Sequence, residues 1–158
     1  MVFDGRLPDD ETANDRSLEP LFYVFVAAPT LLGAAHHVDH VVRGNHVGWP
    51  LTPEVNPFTY SLAIYALIAI SLYLSGTRRV DARYWAGFFA FSAAMLAYLH
   101  LSPWAVEPPR DVVAPYASPV VGYLAFATLL ALIASVVVGS AYAAVLWRRS
   151  EATVDGPE

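Results

Sequence analysis

The sequence predicts an all-α fold, a polytopic membrane bundle of four transmembrane helices, and three observations predict it. Apolar residues make up 56% of the 158-residue chain and the mean hydropathy is +0.45, high for a water-soluble domain. They fall into four long blocks separated by polar punctuation, the pattern a bilayer imposes. The four tryptophans (Trp49, Trp85, Trp104 and Trp147) stand at or just beyond block ends, where aromatic side chains meet the headgroup region.

The elements follow in order. Residues 1–20 carry Asp4, Asp9, Asp10, Glu11, Asp15 and Glu19 against Arg6 and Arg16. A secretory signal opens with a short basic stretch, so this acidic one reads as a solvated, disordered tail. Spans are expected over residues 21–42, 57–74, 84–101 and 119–147. About 20 residues at 1.5 Å each cross the hydrocarbon, so the fourth must tilt or project beyond it. Lipid cannot satisfy open backbone groups, so each span must be helical. Residues 148–158 close the chain as a short tail. Small residues four apart offer close-packing stripes: Ser135, Gly139 and Ala143 in the fourth span, Ala86, Ala90 and Ala94 in the third.

Arginine sets the expected orientation. With four spans, both tails and the turn between the second and third spans share one side, and all the arginines except Arg43 and Arg110 lie there. That bias predicts a cell-membrane protein with both termini in the cytoplasm. The two outer loops, residues 44–56 and 102–118, are rich in proline and therefore stiff, suited to a lid or to ordered connectors.

Composition also removes chemistry. With no cysteine there are no disulfides, thiolate metal sites, iron–sulfur clusters or cysteine nucleophiles. A net charge of −5 argues against nucleic acid, which needs a basic face. No glycine-rich phosphate loop is present.

What remains is a histidine cluster. His36, His37, His40 and His46 fall in one short segment, and the fifth histidine, His100, ends the third span. On a helix, His36, His37 and His40 fit within roughly a 100° arc. His36 is 15 residues past Leu21 and His100 is 16 past Tyr84. The first and third spans run the same way, so both imidazoles reach about the same depth, roughly 22–24 Å along their helices. Asp39 and Arg43, four apart, are placed to form an ion pair. Glu54, Tyr60, Glu107, Asp111 and Tyr116 lie on the same side and could add a ligand or a supporting partner.

Three chemistries use such a set. One is a transition-metal site on His36, His40 and His100, with His37, Asp39 or His46 as further ligands or supports. Imidazole and carboxylate suit Zn, Fe or Cu. That would make the chain a small membrane metalloenzyme or a redox accessory subunit. The second is haem b held by one histidine from each of the two spans, with Arg43 or Arg110 at the propionates. The third is structural: histidines that pack, sense pH or meet a partner membrane subunit or a second copy. The His-His-x-x-His string is similar to one histidine box of the membrane di-iron desaturases and hydroxylases, but five histidines are too few for their set.

Overall fold

The computed structural model describes residues 20–44, 52 and 54–154. Among these the regular elements are all helices: α1 (Pro20–Arg43), α2 (Pro57–Ser61), α3 (Ala63–Gly76), α4 (Ala82–Leu101), α5 (Pro109–Val113) and α6 (Pro119–Val154). Four helical stretches are long and apolar enough to cross a membrane, with α2 and α3 together forming the second, Pro57–Gly76. The acidic stretch of residues 1–19, His46 and Trp49 lie outside the described residues.

Local sequence explains the ends. Asn56 and Thr59 cap α2 reciprocally: Asn56 Oδ1 accepts from the Thr59 amide at 3.2 Å, and Thr59 Oγ1 from the Asn56 amide at 2.8 Å. Asp81 Oδ1 caps α4 through the Tyr84 amide, so the third span begins at Ala82, two residues earlier than expected. Pro57, Pro109 and Pro119 each open a helix, where their missing amide costs nothing. The expected break at residue 147 does not occur. Arg148 and Arg149 are good helix formers and nothing stops the helix before Val154, so the first part of the predicted tail continues α6. At 36 residues α6 is about 54 Å long, well beyond a hydrocarbon core of about 30 Å.

The α3 terminus is unusual. The Arg79 amide donates to Leu74 O at 2.8 Å and the Arg78 amide to Ser75 O at 3.0 Å. This is a Schellman motif, which needs a left-handed residue after the cap and normally takes glycine. Here that residue is Arg78, at φ 57°, a conformation that costs an L-residue roughly 1–2 kcal/mol.

The core is a three-helix seam. Phe22, Val26, Pro29 and His36 are the buried positions of α1. Ala82, Trp85, Ala86, Phe89, Ala93 and His100 are those of α4. Leu129, Leu132, Val136, Gly139 and Ala143 supply the α6 face. Spacings of three and four follow the heptad-like pattern of helices crossing at a shallow angle. Only part of the expected alanine stripe is used. Ala86 is buried, but Ala90 and Ala94 are exposed, because a strict four-residue repeat drifts around a helix of 3.6 residues per turn. Gly139 does serve close approach: a Cβ there would lie 3.3 Å from the Phe89 ring. α3 contributes little to this core. It is tethered by Ser71 Oγ to Tyr84 OH at 2.6 Å and by Trp85 Nε1 donating to Ser75 Oγ at 2.8 Å.

α5 lies across the start of α6. A Cβ on Gly122 would collide with the Val113 backbone oxygen, so this contact requires glycine. We expect Gly122→Ala to destabilise the detergent-solubilised protein by about 1–3 kcal/mol, the usual range for forced overpacking. Gly87→Ala, with nothing within 4 Å of the added atom, should leave the melting temperature unchanged or slightly higher.

Candidate metal centre

The two core seams run out of apolar residues at the same end, and the histidines take their place. His36 and His100 occupy the last buried seam positions of α1 and α4. Their rings meet edge to face with centroids 5.0 Å apart. His40, one turn beyond His36, brings its Nε2 to 3.2 Å from His36 Nε2.

The fourth member is Glu107, buried in the loop that follows α4. Its amide donates to Leu99 O at 3.0 Å, which fixes the loop against the end of α4. Its Oε2 lies 3.3 Å from both His40 Nε2 and His100 Nδ1. One ligand atom from each of His36, His40, His100 and Glu107 can be chosen so that all lie within 4.8 Å of one another. Bonds of about 2.0–2.1 Å around a tetrahedral ion put neighbouring donors about 3.3 Å apart. The His36–His40 and His40–Glu107 separations match that edge. His100 Nδ1 is also 3.2 Å from the Glu107 backbone oxygen. A carbonyl only accepts, so Nδ1 donates in that bond and Nε2 is left as the bare nitrogen. The buried Nδ1 of His36 has no hydrogen-bond partner among the described residues.

A charged frame surrounds this group. The Arg43 side chain has no exposed surface. Its Nε donates to Asp39 Oδ2 at 2.7 Å, and its Nη1 to Glu107 Oε1 at 2.5 Å and to the Asp111 backbone oxygen at 3.1 Å. Tyr116 OH donates to Asp39 Oδ1 at 2.5 Å. Asp39, a possible further ligand or support from the sequence, is therefore engaged by Arg43 and Tyr116 and is not among the four residues whose ligand atoms come together. With neutral histidines, Arg43 against Asp39 and Glu107 leaves the frame one negative charge in excess.

His37 is turned elsewhere. Its Nδ1 is 2.6 Å from Tyr65 OH and its Nε2 is 3.0 Å from Ser61 Oγ. Ser61 gives its own proton to Phe58 O at 2.7 Å. So His37 Nε2–H donates to Ser61, and Nδ1 accepts from Tyr65. Both ring nitrogens are occupied, because one residue is 100° of helix rotation and carries His37 from the α4 side to the α2–α3 side. The bridging haem does not fit this arrangement. The His36 and His100 rings are in contact, and the space beside His40 and His100 is a cavity of about 80 Å³, far too small for a macrocycle.

No known protein family, curated protein or solved structure matches this chain. The chemistry of the site therefore rests on its own geometry.

A cavity of about 80 Å³ opens beside the group. His36, His37, His40, His100 and Glu107 line one side, and Pro57, Phe58, Leu96, Leu99 and Val106 form an apolar wall. At about 30 Å³ per water, it holds two or three small ligand atoms or waters.

In the sequence Glu107 and Tyr116 stand only among five polar residues on that side, and nothing there marks Ser61 or Tyr65. The signal for Glu107 was there: an acid in an otherwise apolar Ala-Val-Glu-Pro-Pro stretch, seven residues past His100.

Burial first, then the hydrogen bond to Asp39 and its negative charge, push the Tyr116 phenol up to about 12 from 10.0. A raised folded-state value means that the stabilisation is complete below pH 10 and is lost as the pH rises through 12. The phenolate absorbance that disappears in Tyr116→Phe should therefore titrate near pH 12, with stability falling over the same interval. A titration at the ordinary pH near 10 would mean that the Asp39 contact is not held in solution.

Proposed function

We propose that this chain is a multi-pass integral membrane protein that holds one transition-metal ion on His36, His40, His100 and Glu107. The observation that carries the reading is convergence. Three separate stretches of sequence bring four good donors within 4.8 Å of one another, and the His36–His40 and His40–Glu107 spacings are those an ion would set. Imidazole and carboxylate favour Zn, Fe or Cu. The excess negative charge of the frame favours a cation at the same point.

The neighbouring cavity supports an open rather than a sealed centre. A purely structural ion is enclosed by its ligands, whereas a reactive one keeps a position for a small molecule. Here space for two or three atoms adjoins the donors. An ion at this point, when bound, would supply Lewis acidity or a redox couple to a water-sized or diatomic ligand. The Arg43 clamp holds Glu107 Oε1, so only Oε2 can face the ion. The small cavity and its apolar wall exclude larger substrates. We read the protein as a small membrane metalloprotein, with its spans in a cell membrane and both termini cytoplasmic.

A second reading has its own support. His40 Nε2 and His100 Nδ1 both lie 3.3 Å from one carboxylate oxygen, which is also a geometry for holding a proton and would make the protein a pH-responsive subunit.

Metal analysis separates the two. Detergent-purified native protein should carry about one equivalent of Zn, Fe or Cu, and His36→Ala and His100→Ala should each lose most of it. His37→Ala, whose nitrogens are engaged elsewhere, should keep it. Native protein that folds but carries no stoichiometric metal sinks the metal reading and leaves the proton. Openness has a separate test. In Co(II)-loaded protein, azide should change the visible spectrum while benzoate does not. A Co(II) spectrum indifferent to azide would make the centre a closed one.

A further inference from the structure

The end of the bundle opposite the histidines holds a second feature that the metal does not use. The turn between α3 and α4 and the first turns of α4 enclose an open hollow of about 680 Å³, within the size range of small-molecule sites. Its rim carries Arg78, Arg79 and Arg83, and its wall is built from Gly87, Phe88 and Phe91. Asp81, the acid in the lining, has its Oδ1 committed to capping α4. Arg83 is held with its guanidinium 5.2 Å from the centre of the Trp147 ring, so its position is fixed by α6. Phe91 is 68% exposed and extends the wall along the outside of the bundle.

The backbone adds an independent observation. Arg78 occupies the left-handed position of the Schellman motif, where glycine would be free of strain. A strained residue of this kind points to use of its side chain. The side chain in question is the guanidinium at the rim.

We propose that this hollow binds an anionic phospholipid, with the headgroup phosphate among Arg78, Arg79 and Arg83 and an acyl chain along Gly87, Phe88 and Phe91. The order of the groups fits a lipid: cations at the end of the bundle, then an apolar wall deeper along α4. Guanidinium donors match phosphate oxygens in pairs, and Gly87 leaves the wall flat for a chain. A soluble phosphate compound would use the rim and leave the aromatic wall bare. An acidic peptide would have no use for a wall that faces outward along a span. The inference rests on the membrane reading and is independent of the metal.

Strain and ligand binding make opposite demands on Arg78, and that contrast is the test. Full-length protein in neutral detergent is melted alone, with phosphatidylglycerol, with phosphatidylcholine and with inorganic phosphate. Phosphatidylglycerol should raise the melting temperature of the native protein clearly more than phosphatidylcholine does, and inorganic phosphate should not. Arg78→Gly should melt at the same or a higher temperature without lipid, yet lose most of the phosphatidylglycerol increment. Arg79→Gln, which leaves the backbone alone, should weaken phosphatidylglycerol retention in native mass spectrometry about fivefold, the worth of one basic residue at an anionic surface. Equal stabilisation by both lipids would keep the membrane reading and overturn the site. So would an undiminished increment in both variants, or a phosphate effect equal to that of the lipid.

Discussion

Arg43 has no solvent-exposed side-chain surface, so its charge must be matched inside the protein, and most of the architecture at that end follows from how this is done. Burying an unmatched guanidinium would cost several kcal/mol. Glu107 and Asp39 supply the match. One lies on the same helix, but the other lies 64 residues away, so the pairing fastens α1 to the loop after α4. The Asp111 carbonyl brings in α5, and Tyr116 closes over Asp39 from the loop before α6. Gly122 then lets α6 start directly beneath α5. The proline-rich loop is stiff because polar groups inside the bundle bind it, as well as because proline restricts its backbone.

The same pairing determines what the imidazoles meet. Glu107 would be the mobile donor of the group, since it sits on a loop while the three histidines sit on helices. Arg43 removes that freedom by holding Oε1, and the Leu99 carbonyl holds the Glu107 amide. What remains is one oxygen aimed at His40 and His100. Holding donors in place beforehand reduces the ordering cost of gathering them around an ion.

The helices were legible in the sequence because the bilayer pattern is coarse and repetitive. Span positions came within a few residues, and the misses were local: an aspartate cap that starts α4 early, and an α6 that nothing interrupts. Helix rise and a shared direction are enough to bring His36 and His100 to one depth, and those two rings are in contact. Rotation was harder to read than depth. An arc of 100° groups His37 with its neighbours in the sequence, but that angle is enough to turn it to Ser61 and Tyr65. Asp39 and Arg43 were legible as a pair because four residues is one helical turn, while the Arg43–Glu107 contact depends on how a seven-residue connection folds back. Loop residues have no periodicity to announce which way they face, so the apolar stretch around Glu107 marks it for burial without saying what it meets.

Continuity of the seam explains why the polar group can exist so deep in an apolar molecule. Along α1 and α4 the buried positions lead from Phe22 and Ala82 to His36 and His100, with a seven-residue step through half-buried positions before each histidine. α6 packs along both α1 and α4 and so sets the separation of these helices, with Phe22 meeting the Trp85 ring edge to face at one end. Packed helices are stiff, so that separation carries to the other end, where it decides how far apart the imidazoles stand. Sites built on helices hold geometry better than sites on loops. On this view the apolar core acts as a spacer for the histidines, and the cost of burying polar rings is met by contacts made some 20 Å away along the same helices.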